Sequence, residues 1–232
     1  MACGWLLHGV GSIAVRLAIR LFLALTVVVS VSCDGGDDEA PPPIAQRLLT
    51  AEDAPGSKPN PDVERETTTD LEEFVSSFSQ HFIDPDREEM TTVFQEAGFK
   101  AAGTDVRFLG ETQTDTMPYL FSWFFELESE EGASSVLDWV EADSMKPCPH
   151  SCAFRVSSFE VDGIPGARGV HRIATAEDVK ATGAEDPPSD NYWVGFTVGS
   201  SVYTMELRGP PGSVTAEQAL RIARAYHDRL TP

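Results

Sequence analysis

Large apolar side chains fill the odd positions of one stretch, Tyr119, Phe121, Trp123, Phe125 and Leu127, while Leu120, Ser122, Phe124 and Glu126 alternate with them and turn polar toward the end. A period of two is that of a strand with one face against a core. A second such region spans 192–207, where Trp193, Val194 and Gly195 lead to a turn at Gly199 and Ser200, and Val202 and Met205 alternate with Tyr203 and Glu206. That pattern predicts a hairpin. Shorter strands are expected at 104–109, after Ala153 and at 167–174.

Helical spacing takes over elsewhere. Leu71, Phe74, Val75, Phe78 and Phe82 form one apolar stripe behind a cap at Thr69 with Glu72 three residues on. A second helix carries Met90, Val93, Phe94 and Ala97 and ends at Gly98. Ser129 caps a third, with Ala133, Val136, Leu137 and Val140. Thr215 with Gln218 boxes a last helix carrying Ala219, Leu220, Ala223, Tyr226 and Leu230. The order from 104 onward reads as two passes of strand, loop, strand and helix. A duplication and the convergent patterning of an α+β domain both account for it. The fold class is α+β, an antiparallel sheet with helices on at least one face.

The N-terminus has a different composition. Arg16 and Arg20 precede an apolar run over 21–31 and Ser32, followed by Cys33. The run is shorter than the roughly 20 residues a spanning helix needs, and the layout is that of a signal peptide. Val29, Ser30, Val31, Ser32 and Cys33 resemble a lipobox, departing from it at Ser30, where a leucine is usual. The alternatives are an ordinary secretory signal with a coincidental cysteine and an uncleaved anchor. Lipidation is favoured because 34–43, DGGDDEAPPP, cannot bury enough apolar surface to fold and reads as a tether. The leader is long enough that Val10 or Val15 are alternative starts, which would remove Cys3. The organisation is a signal peptide over 1–32, a lipidated cysteine and tether over 33–68 with room for a short helix at 44–53, and an α+β domain over 69–232, the folded part beginning either near Ile44 or at Thr69.

Charge narrows the partners. The chain has 17 basic and 37 acidic residues, and without the leader the balance is 15 to 37, a net −22. Such a surface repels nucleic acid and anionic headgroups alike. Asp34, Asp37, Asp38 and Glu39 lack the ligand alternation of a calcium loop. With Cys33 acylated, Cys148 and Cys152 are the two remaining thiols in an oxidising compartment, which argues for a disulfide. A copper or redox site is the alternative. The sequence has no G-x-S-x-G, H-E-x-x-H or phosphate-binding glycine loop, and His81, His150, His171 and His227 are scattered. No cofactor and no metal site is expected.

The run Leu48, Leu49, Thr50, Ala51, Glu52, Asp53, the glycine-rich stretch 163–169, and Val202 and Tyr203 with a closing helix ending in Arg229 and Leu230 resemble an uncharacterised group of actinobacterial secreted lipoproteins. The resemblance covers most of the chain after Cys33, and its motifs are turns and edges. It implies an α+β domain outside the cell membrane, of a sensor-like or ligand-carrying kind.

Two functional expectations follow. The first is a lipid-anchored, non-enzymatic binding or sensor module of the cell envelope, recognising a small molecule or an envelope protein. The second is an exported enzyme, or a copper or redox protein using Cys148 and Cys152. Candidate ligand contacts are Tyr119, His171, Tyr192 and Trp193, beside the long polar loops 110–118 and 177–190. A cleft bringing His171 to a carboxylate or hydroxyl favours catalysis, whereas a dry cavity between sheet and helices favours binding.

Overall fold

The structure, a computed structural model, describes residues 44–63, 65–79, 86–110, 118–146, 154–182 and 187–231. In chain order the elements are α1 (Ile44–Arg47), β1 (Ser57–Pro59), β2 (Glu66–Thr68), α2 (Leu71–Phe78), α3 (Arg87–Glu96), β3 (Ala101–Leu109), β4 (Tyr119–Glu126) and α4 (Glu130–Ser144). They continue with β5 (Arg155–Ser158), β6 (Arg168–Ala174), α5 (Ala176–Thr182), β7 (Ser189–Val198), β8 (Ser201–Gly209) and α6 (Ala216–Leu230). Every strand pairing is antiparallel, in the order β1-β3-β4-β8-β7-β6-β5, with β2 also on β3. The α+β class and the antiparallel sheet are as the sequence patterns predict.

The alternation in β4 sorts its side chains onto two buried faces rather than one. Phe125 and Trp123 join α2, α3 and α4 through Phe74, Phe94, Val136 and Leu137. Leu120 and Phe124 join α6 and the N-terminal segment through Leu48, Ile222 and Tyr226. We call these the α4 face and the α6 face. The polar drift along the even positions misleads, because Ser122 is buried and Glu126 is met by the buried guanidinium of Arg47 at 2.9 Å.

Caps set the helix starts. The cap of α2 falls at Asp70 rather than Thr69, since the Asp70 carboxylate accepts from the amide of Glu73. Thr68 then takes the Glu73 side chain through its hydroxyl. A carboxylate one residue later satisfies a free amide of the first turn and adds a favourable charge at the helix start. Ser129 and Thr215 cap α4 and α6 as expected. Gly98 follows α3 at φ +72°, where a Cβ would lie 2.5 Å from Glu128.

Two expected boundaries move. The described residues of 44–68, grouped with the tether although the sequence allows folded structure to begin near Ile44 as well as at Thr69, pack as part of the fold: Leu48 and Leu49 are fully buried, and β1 and β2 extend the sheet beside β3. Polar composition hid this segment because its hold is largely polar. Arg229 of α6 donates to both carboxylate oxygens of the buried Asp53 at 2.8 Å, and to the carbonyls of Gln46 and Leu48. The Tyr226 hydroxyl donates to the carbonyl of Arg47 at 2.7 Å. The second change is in 177–190, expected as loop, which holds the two-turn α5 and the first residues of β7.

The helices closing the two strand–helix passes pack on opposite faces, α4 against Trp193 and Val202 and α6 against Phe196 and Tyr203. Two repeats side by side about an axis normal to the sheet would put both on one face, so the passes are not related in that way.

Candidate functional site

One end of the sheet gathers the connections. Register aligns Tyr119 with Arg208, Arg208 with Asn191, and Asn191 with Arg172. The link from β3 to β4 and the link from β6 through α5 to β7 therefore leave the sheet at the same end, as does the turn from β8 to α6. We call it the loop end. Residues 111–117 and 183–186 lie outside the described residues.

The four aromatic or imidazole candidates do not form one group. His171 and Tyr192 are register partners on the α6 face. Their rings stack at 4.4 Å and 6°, and Phe159 packs edge-on to Tyr192 at 5.9 Å. His171 Nε2 lies 2.6 Å from Oδ1 of Asp190, a carboxylate 6% exposed at the start of β7. The other Asp190 oxygen accepts from the amide of Gly212 in the β8–α6 turn. Burial, and then the Asp190 charge, push the Tyr192 hydroxyl above its ordinary value, so it stays a neutral hydrogen-bonding group. Among the described residues His171 has two side-chain partners, Asp190 and the Tyr192 ring.

Trp193 and Tyr119 stand on the opposite, α4 face, Trp193 buried and Tyr119 half-buried. The strand alternation that separates Tyr192 from Trp193 is unavoidable for neighbours in one strand. Beside Trp193, the Arg172 Nη2 donates to Glu206 Oε2 at 2.6 Å, with both side chains nearly buried. Asn191 lies between Arg172 and Arg208 in the same row, and Ser189 is two residues further along β7 on the same face.

Among the described residues, three buried polar atoms here have no hydrogen-bond partner: Arg172 Nε, Asn191 Oδ1 and Ser189 Oγ. Each such group costs on the order of 1–3 kcal/mol, and native interiors hold few of them. Three of them stand on neighbouring positions of the α4 face. Sequence reasoning missed Ser189, Asn191, Arg172, Glu206 and Arg208. The legible signal was Ser189, Asp190 and Asn191, three polar residues opening a strand that is otherwise apolar.

By contrast, a second polar cluster, on β3 at the other side of the sheet, is satisfied internally. Asp105 pairs with Arg65 at 3.1 Å and Arg107 at 3.3 Å, and Arg107 Nε donates to Ser57 Oγ at 2.8 Å. It fastens the N-terminal arm. His227 packs edge-on to Phe196 at the far end of α6. Cys33, Cys148, Cys152, His81 and His150 lie outside the described residues. Among the described residues no group of three or more His, Cys, Asp or Glu is placed to hold a metal ion. No described helix is long and apolar enough to cross a membrane.

No family model and no curated protein matches the chain. Among solved structures, the extracellular domain of PknH from Mycobacterium tuberculosis is similar at 11% sequence identity and a TM-score of 0.49, over 81% of this chain and 94% of that one.

Proposed function

We propose that the protein is an extracytoplasmic lipoprotein, anchored through an acylated Cys33, whose α+β domain is a non-enzymatic module binding its ligand at the loop end of the sheet. The supporting observation is the set of buried, unpartnered polar atoms on Ser189, Asn191 and Arg172. A ligand supplying matching donors and acceptors offsets the cost of leaving them unmade. Anchoring rests on the sequence before and after Cys33. Two acyl chains there give stable attachment, and the proline-rich stretch 34–43 spaces the domain from the bilayer. Cys148 and Cys152 are assigned to one disulfide, with copper or redox chemistry as the alternative.

The enzyme reading has one observation in its favour, the 2.6 Å contact of His171 with Asp190. A base oriented by a carboxylate is one part of a catalytic group, and the other part, a positioned nucleophile or substrate atom, is what such chemistry needs. The partners of His171 among the described residues fit a packed and oriented imidazole.

The test is purification of the full chain from membranes, release of non-covalent small molecules by denaturation, and their identification by mass spectrometry. A stoichiometric species is expected with the parent chain and not with Asn191→Leu, and Cys33→Ser is expected in the soluble fraction. A parent chain with nothing bound, or a Cys33→Ser chain still in membranes, defeats the corresponding half of the proposal.

A further inference from the structure

The geometry points to a small organic anion as the ligand, its oxyanion held between Arg208 and Arg172 on the α4 face and its apolar body against Phe121; this rests on the binding reading above. Arg208 and Arg172 are the register partners of Asn191 on its two sides. Neighbouring strands lie about 4.8 Å apart, so the two Cα atoms are roughly 10 Å apart, a gap two arginine side chains can close around one carboxylate or phosphate.

The two arginines are not equally committed. Arg172 spends Nη2 on Glu206 and keeps Nε unpartnered. The Arg208 side chain, half-buried, makes no hydrogen bond or ion pair among the described residues. Among the described residues, two guanidiniums against one carboxylate leave this row net positive, on a chain whose formal charge is −20. Three acidic residues of the overlying helix are already engaged: Asp143 with Lys146 at 3.2 Å, and Asp138 and Glu141 with Arg168. An isolated positive site within an acidic, partly desolvated surface attracts one anion and fixes its orientation. Ser189 Oγ and the Asn191 amide supply hydrogen bonds to the same head group.

The neighbouring aromatics make the ligand organic. Phe121 is one register row from Arg208, as the partner of Glu206. It is half-buried and stacks on Trp123 at 5.8 Å and 8°, with Tyr119 at 6.4 Å on its other side. A half-open aromatic row beside a charged one suits a flat or chain-like apolar body with an anionic head.

Calorimetric titration of the full chain with benzoate, phenyl phosphate and neutral benzamide tests the assignment. At least one anion should bind tenfold or more tightly than benzamide. Arg208→Gln, at a half-exposed position, should lose that preference at unchanged melting temperature, and Arg208→Lys should recover part of it. Titration of the Cys33→Ser chain with phosphatidylglycerol and phosphatidylcholine vesicles separates a free anion from a lipid headgroup. Binding to anionic vesicles with no binding of the soluble anions overturns the small-molecule assignment. Equal binding of benzoate and benzamide, or an Arg208→Gln chain that binds like the parent, overturns the anion assignment. An uncharged species co-purifying with the chain also overturns it while leaving the binding module intact. No co-purified species and no probe binding overturn both.

Discussion

Asp178 organises the loop end through its carboxylate and its own amide. One carboxylate oxygen accepts from the amide and hydroxyl of Thr175 at 3.1 and 2.7 Å, the other from Arg155 at 2.6 Å, and its amide donates back to Thr175. The hydroxyl of Thr175 and then Arg155 lower its pKa from 3.8 to about 2. A carboxylate depressed on folding stabilises the folded state above its unfolded value, and that contribution disappears as pH falls through its folded value. Hydrogen-exchange protection of α5 should therefore decline between about pH 4 and pH 2 in the parent chain. In Asp178→Asn it should be low throughout. A carboxyl titrating near 4 by NMR contradicts this account. Neither this helix start nor the guanidinium from β5 was expected from the sequence, since 177–190 reads as a polar loop and Arg155 is 23 residues away.

At the level of elements, α4 meets the sheet closely at Gly195 in β7. A Cβ there would lie 2.5 Å from the Trp193 ring and 2.7 Å from Leu137 Cδ1 of α4. Trp193 is 3% exposed and has no room to retreat, so Gly195→Ala should destabilise by about 1–3 kcal/mol in urea unfolding. Leu137→Ala removes one of the two obstructing groups. Its cost should be smaller in the Gly195→Ala background than in the parent, a coupling of about 0.5–2 kcal/mol in a double-mutant cycle. Additive effects would show that α4 does not press on the strand here. The periodicity of β7 and of α4 was plain in the sequence. Their mutual distance was not, since a glycine in a strand marks close approach without naming what approaches.

For the whole molecule, the decisive contacts join its two ends. The side chains of Arg229 and Tyr226 in α6 bind Asp53 and the carbonyls of residues 46–48, and burial pushes the Tyr226 hydroxyl far above its ordinary range. Leu48 and Leu49 complete the α6-face core. A chain beginning at residue 42 should unfold cooperatively with the stability of the longer protein. One beginning at residue 69 loses two buried leucines, two strands and the partner of a buried carboxylate network. A loss above about 5 kcal/mol, comparable to the whole stability of an ordinary domain, is expected. Tryptophan fluorescence in urea distinguishes the two. A cooperative transition in the shorter chain would return residues 44–68 to the tether.

Local pattern determined a good deal of this protein by itself. Period two in 119–127 and 192–207, period 3.6 in the helices, and Ser129 and Thr215 as caps specified an antiparallel α+β fold, because these signals depend on neighbours a few residues apart. The same alternation placed His171 beside Tyr192 only once β6 was known to pair with β7, and it sent Trp193 and Tyr119 to the other face. Which face a second helix covers, that a polar N-terminal segment is locked by Arg229, and that Arg172, Asn191 and Arg208 align in one row are settled by register and packing between distant segments. No local signal encodes those distances, because the free energy that fixes them resides in contacts between residues far apart in the chain.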